Sequence, residues 1–226
     1  MTTTISVETL FDNQVHIGHK KDSWNPKMRD YIFSQVNNIH IFDLEKTMKA
    51  MEEAKKIFLA TRIKNGKILF VGTKPQISFV INKKLSDKKH FFVNEKWCPG
   101  LLTNFNEVRK RIDHYLKLKE QFESGEINKY TKKEVVKFKK ELKKLESLYQ
   151  GVAEMRKTPQ LIVILDSVGN RLAIEEANKK NIPVIAIVDS NADPDGIDFV
   201  IPSNDDSVKS VGFLLENMLQ WSEAKN

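Results

Sequence analysis

Leu161-Ile162-Val163-Ile164-Leu165 and Val184-Ile185-Ala186-Ile187-Val188 decide the fold. Neither run contains a polar residue. A strand with one wet face alternates apolar and polar residues, so a strand apolar throughout is covered on both faces. Ile68-Leu69-Phe70-Val71 and His90-Phe91-Phe92-Val93 read the same way, and Phe199-Val200-Ile201 is a shorter one. Between the runs lie helical stretches. Asp43 is placed to cap one, followed by Leu44, Met48, Met51, Ala54 and Phe58 at helical spacing and a stop near Asn65-Gly66. Pro75 opens another that runs to about Leu85, and a third covers roughly 171–180. Ser203 or Asn204 caps the last, through Trp221, with Asp205 and Asp206 expected in its first turn. Strands alternating with helices predict an α/β protein, a three-layer α/β/α sandwich on a parallel sheet. Its ligand sites would lie beyond the carboxyl ends of the strands.

Residues 105–157 interrupt this alternation. Val108, Ile112, Tyr115, Lys119 and Phe122 form one stripe with a gap at Lys119, and Ser124-Gly125 breaks it. Thr131-Lys132-Lys133-Glu134 is a capping box, after which Val135, Phe138, Leu142, Leu145, Tyr149 and Val152 step in threes and fours. Two amphipathic helices joined by a short loop predict an antiparallel α-helical coiled-coil hairpin. The organisation expected is therefore an α/β domain over 1–104 and 158–226, with 105–157 inserted as the hairpin. Residues 1–38 read as an irregular extension, with Ile39–Phe42 a short strand after it.

The insertion holds 15 Lys and Arg against 9 Asp and Glu, so it carries +6 of the chain's +7. A nearly neutral body with a cationic arm points to a polyanionic partner, because cations that neutralise phosphates release condensed counterions. A solvated Lys/Glu face is the plainer alternative. No apolar run approaches the roughly 20 residues of a membrane span, and the first residues show no secretory signal. Cys98 is the single cysteine, which leaves no internal disulfide and fits a reducing compartment.

Candidate chemistry is sparse. Gly72-Thr73-Lys74 sits on a strand-to-helix turn, but no full phosphate-loop or dinucleotide motif accompanies it. His16 and His19 have a metal-pair spacing on either side of Gly18, without a nearby third ligand. Asp189, Asp193, Asp195, Asp198, Asp205 and Asp206 offer oxygen ligands suited to Mg²⁺, or simply turn and cap chemistry. No nucleophile–base set is evident, and neither a metal nor a cofactor is expected. Two segments suit RNA. One mixes His16, His19, Lys20, Lys21, Asn25, Lys27 and Arg29 with Trp24, which is expected to pack. The other, 94–104, offers Lys96, Thr103 and Asn104 at the root of the hairpin. Lys74 and, on the hairpin, Arg109, Lys110, Arg111, Lys132, Lys133, Lys137, Lys140 and Lys144 complete the expected RNA-binding set.

Read in order, these segments resemble a known family. The carriers are His16-Ile17-Gly18-His19, Trp24-Asn25-Pro26-Lys27-Met28, Asp43-Leu44-Glu45-Lys46-Thr47, Gly66 to Lys74, Leu102-Thr103-Asn104 and Ile187 to Gly196. Together they are similar to the bacterial-type small-subunit ribosomal protein two, the universal S-two family, over about residues 7–215. Departures fall at Ile17, Ser34-Gln35-Val36, Lys96 and Pro99. The resemblance implies a flavodoxin-like parallel sheet with a coiled-coil protrusion and a non-catalytic role. It implies a structural constituent of the small ribosomal subunit in the cytoplasm or in an organelle. Its partners would be small-subunit rRNA and other small-subunit ribosomal proteins, ribosomal protein one among them, with no membrane and no small-molecule substrate. The competing readings are a nucleotide- or flavin-binding enzyme on the same fold and a free-standing RNA-binding regulator.

Overall fold

A computed structural model describes residues 5–85 and 90–223. After α1 (Val7–Asp12), the strands β1 (Ile17–Lys20), β2 (Ile32–Val36) and β3 (Ile39–Phe42) form a small antiparallel sheet in the order β1-β3-β2. Then come α2 (Leu44–Ile63), β4 (Ile68–Val71), α3 (Pro75–Leu85) and β5 (Phe91–Val93). Helices α4 (Phe105–Glu123) and α5 (Lys132–Tyr149) follow, inserted before β6 (Leu161–Ile164). The chain closes with α6 (Arg171–Lys179), β7 (Val184–Val188), β8 (Phe199–Pro202) and α7 (Val208–Glu223). The five later strands are all parallel, in the order β5-β4-β6-β7-β8. Numbered within that sheet, this is the 2-1-3-4-5 order of flavodoxin-like sheets.

Side chains two apart share a sheet face, and here each face meets its own helices. Phe70, Val163, Leu165, Ile185 and Ile187 pack with Met51, Ala54 and Phe58 of α2, Ile77 and Ile81 of α3, and Leu214 and Met218 of α7. Leu69, Val71, Ile162, Ile164, Ala186 and Val188 pack instead with Ala173, Ile174 and Ala177 of α6 and with Val108, Ile112 and Tyr115 of α4. The all-apolar strands are thus covered on both sides, and the three-layer expectation holds.

Three local expectations are revised. Residues 16–38 are not irregular: β1 and β2 both pair with β3. Asn37 and Asn38 take φ of 49° and 63°, a two-residue hairpin turn, and Val36 faces Ile39 across it. Asp205 and Asp206 precede α7 rather than opening it. The Asn204 side chain accepts the N–H of Asp206 at 2.9 Å and of Ser207 at 3.1 Å, which delays the helix to Val208. In α4 the buried stripe is Val108, Ile112, Tyr115 and Leu118, so Leu118 fills the gap assigned to Lys119.

Helices α4 and α5 lie against each other, and the chain reverses at Gly125, which takes φ 77°. His114 Nε2 meets Glu141 Oε1 at 2.9 Å, and Tyr130 stands edge-on to Phe138 at 5.2 Å. The return segment then covers the outer edge of β5. Gly151 makes this possible, since a Cβ there would sit 2.2 Å from the Phe92 carbonyl oxygen. Gly151→Ala is therefore expected to cost about 1–3 kcal/mol through forced displacement of a packed edge, read as a lowered urea midpoint with an unchanged slope.

Candidate nucleic-acid interface

At the carboxyl ends of the parallel strands the polar residues face one another. Gly18 lets β1 approach the loop after β7, because a Cβ there would lie 2.9 Å from Ser190 Oγ. The neighbouring His19 N–H donates to that oxygen at 2.7 Å. The His19 ring then spans two carboxylates, with Nδ1 2.9 Å from Asp189 and Nε2 3.3 Å from Asp206. Its pKa is raised, chiefly by the Asp189 hydrogen bond. Lys74 also points inward, 2.5 Å from Asp205 and 3.0 Å from Asp206. Burial by itself would lower the Lys74 pKa, but these carboxylates override it and raise it. Asp205 is fully buried beside Asp189 and Asp166, and burial first, then those charges, push its pKa up to about 7.

This arrangement tests the phosphate-loop reading of Gly72-Thr73-Lys74. The ammonium is held by Asp205 and Asp206, and Asp166 and Asp189 are also buried at this end. A phosphate approaching here would meet carboxylates before it met a free cation. Among the described residues, no group of three His, Cys, Asp or Glu side chains is arranged to hold a metal ion.

Other predicted residues also turn out to be fastened within the chain. His16 stacks on Phe11 with ring centroids 4.2 Å apart, and burial lowers its pKa. The Asn25 side chain caps the following turn by accepting the Lys27 N–H at 3.0 Å. Lys27 pairs with Asp193 and Asp195. Trp24 packs on His40 at 5.0 Å, as expected. Arg109 donates to the carbonyls of Ala153 at 2.8 Å and Met155 at 2.9 Å, and pins the end of the return segment to α4.

The residue that organises the 97–104 loop escaped the sequence reading. Glu176 of α6 is buried, and its carboxylate accepts five bonds. The donors are Trp97 Nε1 at 3.0 Å, the N–H groups of Gly100 at 2.8 Å, Leu102 at 3.1 Å and Thr103 at 3.2 Å, and the Thr103 hydroxyl at 3.1 Å. Burial alone would raise its pKa, yet these donors hold it below the usual carboxylate range. The available signal was a glutamate inside the apolar stripe of α6, among Ala173, Ile174 and Ala177. Thr103 is thus a loop anchor, while Asn104 stays exposed at the start of α4.

What remains outward is a second group. Lys20, Lys21, Arg29 and Lys96 are exposed around the small sheet and the root loop. Lys110 is exposed but paired with Glu107 at 2.7 Å, and Arg111 lies beside the Tyr149 hydroxyl. On α5, Lys132, Lys133, Lys137, Lys140 and Lys144 are all exposed. Lys133, Lys137, Lys140 and Lys144 follow steps of three and four, so they share one helix face. The apolar stripe of Phe138, Leu142, Leu145 and Tyr149 falls on the opposite face. None of these lysines joins a salt bridge among the described residues. Chemically the surface can neutralise spaced negative charges.

The fold defines an α/β protein with a parallel sheet and a lysine-rich helical insertion. The match to a family model makes this particular: the chain belongs to the Ribosomal protein S2 family, whose model covers residues 10–223. This is a family of structural proteins of the small ribosomal subunit, not of enzymes.

Two outcomes follow from the geometry. Glu176→Ala should strand several buried donors, costing at least about 3 kcal/mol and speeding amide exchange over 97–104. The second concerns pH. Asp205 takes up its proton near pH 7 in the folded chain, against about 3.9 unfolded. Its contribution to stability therefore grows as pH falls from 7 towards 4 and is lost as pH rises through 7. His19, also raised, acts in the same direction. The melting temperature should thus be higher at pH 6 than at pH 8, and Asp205→Asn should reduce that difference.

Proposed function

We propose that this chain is a structural constituent of the small ribosomal subunit that grips rRNA through α4 and α5, with those helices acting as an antiparallel coiled-coil arm. The observation that carries this reading is the Lys133, Lys137, Lys140 and Lys144 face, exposed and without salt bridges among the described residues. Lysines three and four apart lie one above another along a helix and can follow a line of phosphates. Lys20, Lys21 and Arg29 around the small sheet, and Lys96 and Asn104 at the root of the arm, add contacts. His19, Lys27, Lys74, Thr103 and Arg109 serve the interface indirectly, by fixing the loops and the arm that present these groups. Backbone phosphates and shape would then dominate over base reading. Neighbouring small-subunit proteins, ribosomal protein one among them, would meet the remaining surface.

The test is co-sedimentation with small subunits across a salt series. The wild-type chain should travel with the subunit at low salt and leave it at high salt. Lys137→Ala/Lys140→Ala/Lys144→Ala should lower the slope of log affinity against log salt by about two to three, at roughly 0.7–0.9 per phosphate contact. An unchanged slope would remove the arm from the interface.

A further inference from the structure

The carboxyl end of the sheet spends its cations on its own carboxylates. The opposite end does not. There a cleft of about 920 Å³ opens between the starts of β4 and β5 and the base of the α4–α5 arm. It continues into a recess of about 170 Å³ that shares Asn65, Lys67, His90 and Phe91 with it and extends to Arg62. We propose that this cleft is a second RNA site, one that takes a single-stranded segment with a base against Phe91. The proposal rests on the rRNA-binding reading and extends it to a surface outside the expected RNA-binding residues.

Two observations carry it. The first is charge. Lys67, Lys119, Arg156 and Lys157 line the cleft against Glu146 and Glu154, an excess of cations over carboxylates. Lys67 and Lys157 are exposed and make no salt bridge among the described residues. Arg156 and Lys119 reach carboxylates outside the cleft only loosely, Asp113 at 3.7 Å and Glu123 at 3.9 Å. The second is the floor. Phe91 is half-buried on β5 and lines both the cleft and the recess beside Lys67. Cations tracking a backbone beside aromatic surface are the combination that single-stranded nucleic acid uses. A duplex presents phosphates but keeps its bases stacked inside. An acidic protein segment satisfies the charge and leaves the ring unused.

The experiment is fluorescence anisotropy on the full chain with a short labelled oligouridylate. Lys67→Glu/Lys157→Glu is compared with Lys55→Glu/Lys56→Glu, which makes the same charge change on the exposed face of α2. The cleft variant should bind at least about tenfold more weakly, with a salt slope smaller by about 1.4, from two single-strand contacts at roughly 0.7 each. The α2 variant should stay close to wild type. Lys67→Gln/Lys157→Gln repeats the comparison should charge reversal perturb folding. Equal binding by the cleft and α2 variants overturns the proposal. So does equal affinity for a duplex, or for a polyglutamate peptide whose binding the cleft variant also loses. Loss of small-subunit co-sedimentation by the wild-type chain would count against the ribosomal reading alone. Loss of the difference between the two double variants would count against the cleft alone.

Discussion

The Glu176 carboxylate governs how the arm joins the sheet. It is a charge taken out of water, and such a group is tolerated only when its oxygens are filled with donors. Trp97, Gly100, Leu102 and Thr103 fill them, and all four belong to the loop that turns β5 into α4. The direction of the arm is therefore set by a side chain of α6, a helix far along the sequence. Arg109 closes the same junction from the other side by holding the carbonyls of Ala153 and Met155. Between them, a carboxylate and a guanidinium fasten both ends of the two-helix insertion.

The strands β4, β6 and β7 were legible in the sequence because burial on both faces leaves an unbroken apolar run. The helices from α2 onward were legible from their stripes and caps, and Asp43 and Thr131 both cap where expected, whereas α1 was read as irregular. Of the small antiparallel sheet only β3 was legible, and β1 and β2 were not. Its strands are short, one face is wet, and β1 carries His19 and Lys20, so no period stands out. The Asn37-Asn38 pair was the missed clue, since two residues that tolerate positive φ between apolar runs mark a tight hairpin. For the surface, residue type announced cations but not their direction. His19 and Lys74 looked like the outward lysines of α5. Only the fold shows that Asp189, Asp205 and Asp206 wait beside them, more than a hundred residues away in the chain.

The molecule consequently sorts its charges by end. The carboxyl-end carboxylates are matched internally by His19, Lys74 and Lys27. The cations of α5 and of the amino-end cleft have few such partners. A net charge of +7 understates the contrast, because the negative groups are partly buried and neutralised while the positive ones reach water. The chain belongs to a family of ribosomal proteins, and the surface it offers outward is more cationic than its composition alone conveys.

The placement of α4 and α5 between β5 and β6 has a consequence for the order in which the protein comes into being. β6 is the central strand, and Ile68 of β4 pairs with Leu161. The two are separated by the whole arm. At about 5–20 residues per second, synthesis leaves β4 without that neighbour for roughly 5 to 20 seconds. During that interval α4 and α5 can meet each other, since that contact is local. The buried stripe of α4 finds its sheet partners only when β6 and β7 have been made.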